Sequence, residues 1–408
     1  MEKRSGDSVN ASSGKMGLNY AFDAFGNHFD LKLEKNDVIL PPLNMGGRGS
    51  GSGRRNCQFI RKGEEMTAAF ASCDESGVNG MVFTKESAYD VRQLSKSLRQ
   101  RAFRLMNDTS GGSIEGYDDD EEDDDKKLFL VKRIDMTDVK KRLYEPNRGF
   151  QFSPKAKRNL QRLSKRRGSS RLFLETAVFV DQSAYERLAR YYDHDKGQVE
   201  DFIMLYMNGV QAIFHLESLG QTVDLSVIKL EVEARYSPWG YSGERNELLK
   251  KFCEYQEGEN VPKDSDPRHW DIALLVSGTD FYDSRSSDRS KYVTMGLAAV
   301  GAVCTSTWNC VIGELGTTAA SSGKTYPSTG LTAVYIMAHE IGHNLGMHHD
   351  KGSCNKKHVM ASSRGLVGKN SWSPCSRREF RPTDLTCLED SQGETGTFGH
   401  SCHNISSS

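Results

Sequence analysis

Residues 339–350 read HEIGHNLGMHHD, and this stretch limits what the chain can fold into more than any other. Residues four apart share a helix face about one turn along the axis, so His339 and His343 present two imidazoles side by side. That spacing suits a single metal ion. Glu340 follows the first histidine and points to the edge of the same face, where a carboxylate reaches a metal-bound water without being a ligand. Gly346 lets the chain leave the helix through positive φ, and a histidine three residues on returns toward the ion. Counting from the glycine selects His349 over His348.

Two histidines and a glutamate on one helix face also arise without function. What separates this stretch from that case is the glycine at its offset, the third histidine, Asp350 after it and Met360 downstream, which together complete a zinc-protease pattern. On these residues the chain resembles the metzincin zinc endopeptidases. Asp350 and the segment HVMASS (358–363) resemble the reprolysin or adamalysin branch and, within it, the ADAMTS-type proteases. The resemblance implies a metzincin α/β fold: a mostly parallel twisted sheet, an antiparallel edge strand, an active-site helix and a small loop-rich C-terminal subdomain, preceded by a β-rich propeptide. It implies zinc on His339, His343 and His349, with Met360 in a turn beneath the metal. Glu340 is then the general base, activating zinc-bound water and returning its proton to the leaving amine.

The 408 residues suffice for two domains of ordinary size. A net charge of -1 gives no global attraction to nucleic acid. No run of eighteen apolar residues occurs, hence no membrane span. The polar start, MEKRSGDSVNASSGKMGLNY, lacks the apolar segment of a signal peptide. The cysteines point the other way: nine are present and none forms a C-x-x-C pair, which reads as a disulfide framework in an oxidising compartment. We therefore expect a secreted, extracellular monomer whose start is incomplete; a cytosolic chain with free thiols is the alternative.

In residues 20–45, Phe29, Leu31 and Leu33 keep a period of two, predicting a strand that ends at Pro41 and Pro42. MGGRGSGSGRRN reads as a flexible loop, and MTAAFAS, between Cys57 and Cys73, as a second strand. This region is similar to a reprolysin propeptide. The eight acidic residues 118–125 read as a solvated spacer. Lys165, Arg166 and Arg167 end a basic run, and cleavage after Arg167 is expected to free a mature enzyme, although Ser164 stands where a furin-type site has arginine. Sequons at Asn10, Asn107 and Asn404 fit a glycoprotein. The expected segments are propeptide 1–110, linker 111–170, catalytic domain 171–391 and tail 392–408.

From Leu172 strands and helices alternate, which argues for a mostly parallel sheet. RLFLETAVFVD, TVDLSVIKLEVEA and WDIALLVSG read as strands. QVEDFIMLYMNGVQAIFHLESLG reads as an amphipathic helix with Phe202, Leu205, Val210 and Ile213 near one side. SGERNELLKKFCEYQ reads as a helix capped by Ser242, and the metal-motif helix as capped by Ser328 or Thr329. That second helix should pack on the sheet through Val334, Met337, Ala338, Ile341 and Leu345. YVTMGLAAVGAVCTSTWNCVIGE reads as an extended run that could take a substrate backbone along its edge. WSPCS (372–376) is assigned to the catalytic domain rather than to a thrombospondin repeat.

Sequence alone leaves the cysteine pairing open. The resemblance implies Cys253–Cys310, Cys304–Cys387 and Cys354–Cys375, with Cys57–Cys73 in the propeptide and Cys402 left over. It also implies a structural calcium site at Glu175, Asp271, Cys387 and Asp390. With no cysteine between Cys73 and Cys253, latency of the zymogen cannot use a propeptide thiolate on zinc and would come from the propeptide covering the cleft. The function expected is a zinc metalloendopeptidase acting on protein or peptide substrates of the extracellular matrix; the alternative is a catalytically idle or truncated binding protein of the same fold.

Overall fold

The computed structural model describes residues 17–39, 56–73, 77–93, 129–134 and 172–389, the last with gaps at 234, 241, 285–294, 316–330, 332, 355–357, 362–369 and 381–384. Arg167, the three sequons, the acidic run, Ser328, Thr329, Asp390 and Cys402 lie outside these residues.

The single strand expected over residues 20–45 is instead a hairpin, β1 (Gly17–Ala24) and β2 (Asn27–Lys35). Phe25 and Gly26 both take positive φ, 53° and 74°, the two-residue turn whose twist matches antiparallel strands. The reason is visible in the parity of the apolar residues. Leu18, Tyr20 and Phe22 are buried at even positions, whereas Phe29, Leu31 and Leu33 are buried at odd ones. An uninterrupted strand keeps its parity; a two-residue turn reverses it and brings Phe22 opposite Phe29, their rings 4.8 Å apart. Five further strands, β3 (Gln58–Arg61), β4 (Met66–Ala71), β5 (Asn79–Thr84), β6 (Ala88–Gln93) and β7 (Phe129–Arg133), extend this pair into a seven-stranded antiparallel sheet in chain order.

The second sheet has the order β11-β12-β10-β8-β9. Its members are β8 (Leu172–Val180), β9 (Val223–Val232), β10 (Ile272–Ser277), β11 (Gly296–Ala298) and β12 (Cys310–Glu314). All neighbours run parallel except β11, which lies antiparallel on β12 at the edge. Of the extended run expected over 292–314, the described residues from Met295 on form two short strands joined by a loop, because Ala299, Gly301, Val303 and Trp308 of that loop are bonded to a helix end described below. β8 is buried along all nine residues, as a strand covered on both faces must be.

Helices α1 (Gln182–Ala189), α2 (Lys196–Phe214) and α4 (Ala333–Asn344) lie on one side of this sheet, and α3 (Arg245–Glu259) on the other. A short helix, α5 (Pro374–Glu379), and a 3₁₀ turn (Thr386–Leu388) follow. On the α3 side Phe179 meets Trp239, Phe252, Tyr255 and Trp270 at ring distances of 5.5 to 6.2 Å, a burial that contributes about 2–3 kcal/mol. The N-cap of α3 is Glu244, whose carboxylate accepts from the Glu247 N–H at 2.8 Å. Ser242, expected in that role, bonds the Glu247 side chain instead.

α2 is not amphipathic as expected; every residue from Phe202 to Phe214 is buried. Its outer face is covered by the N-terminal sheet, and one continuous core runs from Ile60, Ala69, Met81 and Phe83 through Met204 and Met207 to Leu174, Val178 and Val311. Asn208 is the polar anchor of that contact. Its amide donates to Phe59 O at 2.9 Å and Phe70 O at 3.2 Å, and its oxygen accepts from Asn36 at 2.8 Å. At the helix C-terminus Asp224 accepts from His215 at 2.8 Å and from Lys62 of the N-terminal sheet at 3.3 Å.

Disulfides join Cys57–Cys73 within the N-terminal sheet, Cys253–Cys310 between α3 and β12, Cys304–Cys387, and Cys354–Cys375. A crosslink of this kind typically stabilises by about 2–4 kcal/mol. Among the described residues no helix is long and apolar enough to cross a membrane.

Candidate metal centre

α4 is buried along its whole length, lying between α2, β11 and β12, so the histidines it carries face the protein interior. It ends where Gly346 takes φ 99° and Met347 N–H bonds back to Gly342 O at 2.9 Å, a glycine-terminated cap that turns the chain toward the helix again. That reversal brings His349 over the helix. His339, His343 and His349 form a buried cluster with ring centroids 4.7 to 5.0 Å apart, and the Nε2 atoms of His339 and His349 lie 3.0 Å from each other. His348 stays exposed and faces Glu379.

The ring orientations decide what such a cluster can do. A backbone carbonyl can only accept, so His339 Nδ1–H donates to Val359 O at 2.7 Å and His343 Nδ1–H to Met347 O at 2.8 Å. In a neutral imidazole this leaves the Nε2 lone pair for a metal, the arrangement usual in histidine ligands. Burial lowers His349 to about 4, which keeps that ring in its neutral, ligating form at physiological pH. Three convergent neutral imidazoles fit zinc.

Met360 lies under this group. Its Sδ would sit 2.6 Å from a Cβ at position 342, so Gly342 is the residue that admits it to the helix. Asp350 ties the underside together: its N–H donates to Met360 O at 2.9 Å, and its carboxylate accepts from Ser373 and, at 3.3 Å, from Ser376 at the start of α5. WSPCS thus packs directly beneath the histidines, with the Trp372 indole N–H donating to Ile213 O at 2.9 Å.

Glu340 is 4% exposed and sits beside the histidines against β11. Burial raises its carboxyl to about 8, with the Arg245 charge pulling the other way. Arg245 is itself buried and paired with Asp283.

Asn344, which no motif letter marks, fastens the helix to the β11–β12 loop by donating to Ala299 O at 3.1 Å and Trp308 O at 3.0 Å. Gly301 N–H and Val303 N–H return bonds to His343 O and Asn344 O. The only trace of this in the sequence is a polar amide at the last position of the helix, beside the motif histidine.

Of the residues expected to hold calcium, Glu175 on β8 and Asp271 just before β10 are buried neighbours, joined by Glu175 N–H to Asp271 Oδ2 at 2.8 Å, and the turn bearing Cys387 packs on β8. Asp271 also groups with Asp264 and His269 in a second cluster of potential ligands, less buried than the histidine group.

The comparisons with known proteins agree with this geometry. A family model described as reprolysin (M12B) family zinc metalloprotease matches residues 172–391. Among similar proteins, "A disintegrin and metalloproteinase with thrombospondin motifs adt-1" of Caenorhabditis elegans is 30% identical over 54% of this chain and 14% of its own length. The protein of that name numbered 7 from Mus musculus is 28% identical over 51% of this chain and 12% of its own. Number 18 from Homo sapiens is 24% identical over 95% of this chain and 34% of its own. The chain thus spans 12% to 34% of the length of these relatives. On the matched domain and its three-histidine group, the chain belongs to the reprolysin (M12B) family of zinc metalloproteases.

Proposed function

We propose that this chain is a secreted zinc-dependent endopeptidase that hydrolyses peptide bonds of extracellular proteins, with Glu340 as its general base. The observation that carries the reading is the convergence of His339, His343 and His349 with a buried carboxylate on the residue next to the first of them. The three histidines would hold the ion; when bound, zinc supplies Lewis acidity toward water and the scissile carbonyl. Glu340 takes the proton of the attacking water and delivers it to the departing amine. Burial raises this carboxyl above its ordinary value, which favours the return of the proton, while a cation on the histidines would draw it back toward the carboxylate that the first transfer requires. β11 offers the edge along which an extended peptide could add as a further strand, and Asn344 fixes the following loop to the helix that bears the base.

The rest of the assignment follows the same family. Residues 1–110 are read as the propeptide, 111–170 as the linker, 171–391 as the catalytic domain and 392–408 as a tail, with processing after Arg167. Four disulfides support an oxidising, extracellular setting. A structural calcium ion is assigned to Glu175, Asp271, Cys387 and Asp390, supported by the adjacency of the first three. Because Cys57 is bonded to Cys73, the propeptide is read as imposing latency by coverage rather than through a thiolate.

The test is Glu340→Gln in the processed protein. It should retain one zinc per chain and lose cleavage of a mixed protein substrate, while the parent's cleavage stops on chelation. Cleavage by the variant at the parent's rate would reject Glu340 as the base.

A further inference from the structure

β11 and β12 each meet the helix of the metal site through a glycine. Gly296 and Gly313 stand opposite each other in the antiparallel register of β11 and β12, so any side chains they carried would project to the same face of the sheet, the face α4 covers. Neither has positive φ, so each position needs glycine, if at all, for space rather than for backbone conformation.

The two spaces differ in what fills them. A Cβ at position 313 would approach the Met337 methyl to 3.1 Å, the far end of a flexible side chain that can move aside. A Cβ at position 296 would lie 2.6 Å from Glu340 Cγ, 2.7 Å from Oε1 and 2.9 Å from Cδ. Those overlaps run from mid-chain Cγ to the carboxylate itself, so the whole side chain must turn to relieve them and not its end alone. The carboxylate therefore occupies the volume in which any other residue of the strand would place its own side chain. Its being only 4% exposed follows from this seat on bare backbone.

We propose that Gly296 is a positioning residue of the peptidase reaction: by carrying no side chain it seats the Glu340 carboxylate against β11 and fixes where the base stands relative to the three histidines. This rests on Glu340 being the base, as read above. Added bulk at 296 must swing the carboxylate out of its seat, while the imidazoles of His339 and His343, held by Val359 O and Met347 O through their Nδ1 atoms, keep their places. Gly296 acts on the base and not on the metal.

The experiment compares Gly296→Ala with Gly313→Ala in the full chain, processed in the same way as the parent. Gly296→Ala should retain one zinc per chain and a KM within about threefold of the parent, while kcat falls about a hundredfold, the scale of an ångström-sized misplacement. Gly313→Ala should stay within about threefold in kcat, since Met337 can yield. A second measurement does not use activity. Glu340→Ala leaves nothing beyond Cβ to collide with, so Gly296→Ala should lower the melting temperature of the parent but not that of Glu340→Ala.

Parent-like kcat in Gly296→Ala, an equal loss in Gly313→Ala, loss of zinc, or the same destabilisation in both backgrounds would each overturn the proposal. A Gly296→Ala protein that folds only when Glu340 is also truncated would support it. If Glu340→Gln stays active, the assignment of the base fails; if Glu340→Gln is dead and Gly296→Ala is not, the inference about Gly296 alone fails.

Discussion

Replacing Asn208 with leucine tests whether the N-terminal sheet and the metal-binding half share one cooperative core. The substitution nearly conserves volume, so it opens little cavity. It removes the amide that donates to Phe59 O and Phe70 O and the oxygen that accepts from Asn36. Three such bonds at about 1 kcal/mol net each give about 3 kcal/mol, and leaving the Asn36 amide, 3% exposed, without this acceptor adds about 1–2 kcal/mol. The greater apolarity of leucine returns about 1–2 kcal/mol. A net loss of about 3 kcal/mol is expected. The assay is urea unfolding followed by circular dichroism, in the Glu340→Gln background so that self-cleavage cannot intervene. Asn36→Ala and the double variant complete a cycle; because the two amides bond each other, their effects should be less than additive. A loss below about 1 kcal/mol, or strict additivity of positions 36 and 208, would refute the claim that this buried contact holds the sheet to α2.

Two other outcomes follow from the geometry. His349→Ala should abolish zinc binding, whereas His348→Ala, whose ring is exposed beside Glu379, should leave zinc content unchanged; equal losses in atomic absorption would mean the wrong histidine has been assigned. Burial and the neighbouring Glu231 raise the Glu233 carboxyl to about 7 from its ordinary 4.5. The folded protein therefore holds that proton between those values while the unfolded chain has released it, and stability is lost as pH rises through the window. Glu233→Gln should raise the melting temperature at pH 8 and change it little at pH 4; an equal rise at both pH values would contradict the sign.

The metal site was legible because its chemistry is local. Ligands at 339 and 343 are placed by helix geometry alone, Gly346 ends the helix, and His349 is three residues further on, so one segment carries the whole set. The α/β alternation from Leu172 was likewise readable, since buried parallel strands are apolar runs whatever packs on them. The hairpin at Phe25–Gly26 was also written in the chain, as a reversal of apolar parity between Phe22 and Phe29. Following only the period within Phe29–Leu33 hides it.

Other features belong to no local pattern. Asn208 looks like the solvent side of an amphipathic helix, and only the docking of a sheet some 140 residues upstream turns it inward. Ser242 is the better N-cap by preference, but Glu244 is the residue the backbone brings to the Glu247 N–H. Gly296 has no motif and an ordinary φ, and its meaning appears only when α4 lies across β11 with Glu340 between them. The sequence by itself determined which atoms can bind a metal and which carboxylate stands beside them, because those relations span one helix and its cap. The tertiary structure alone decided what each polar group is buried against, because desolvation and steric room depend on surfaces that meet from distant parts of the chain.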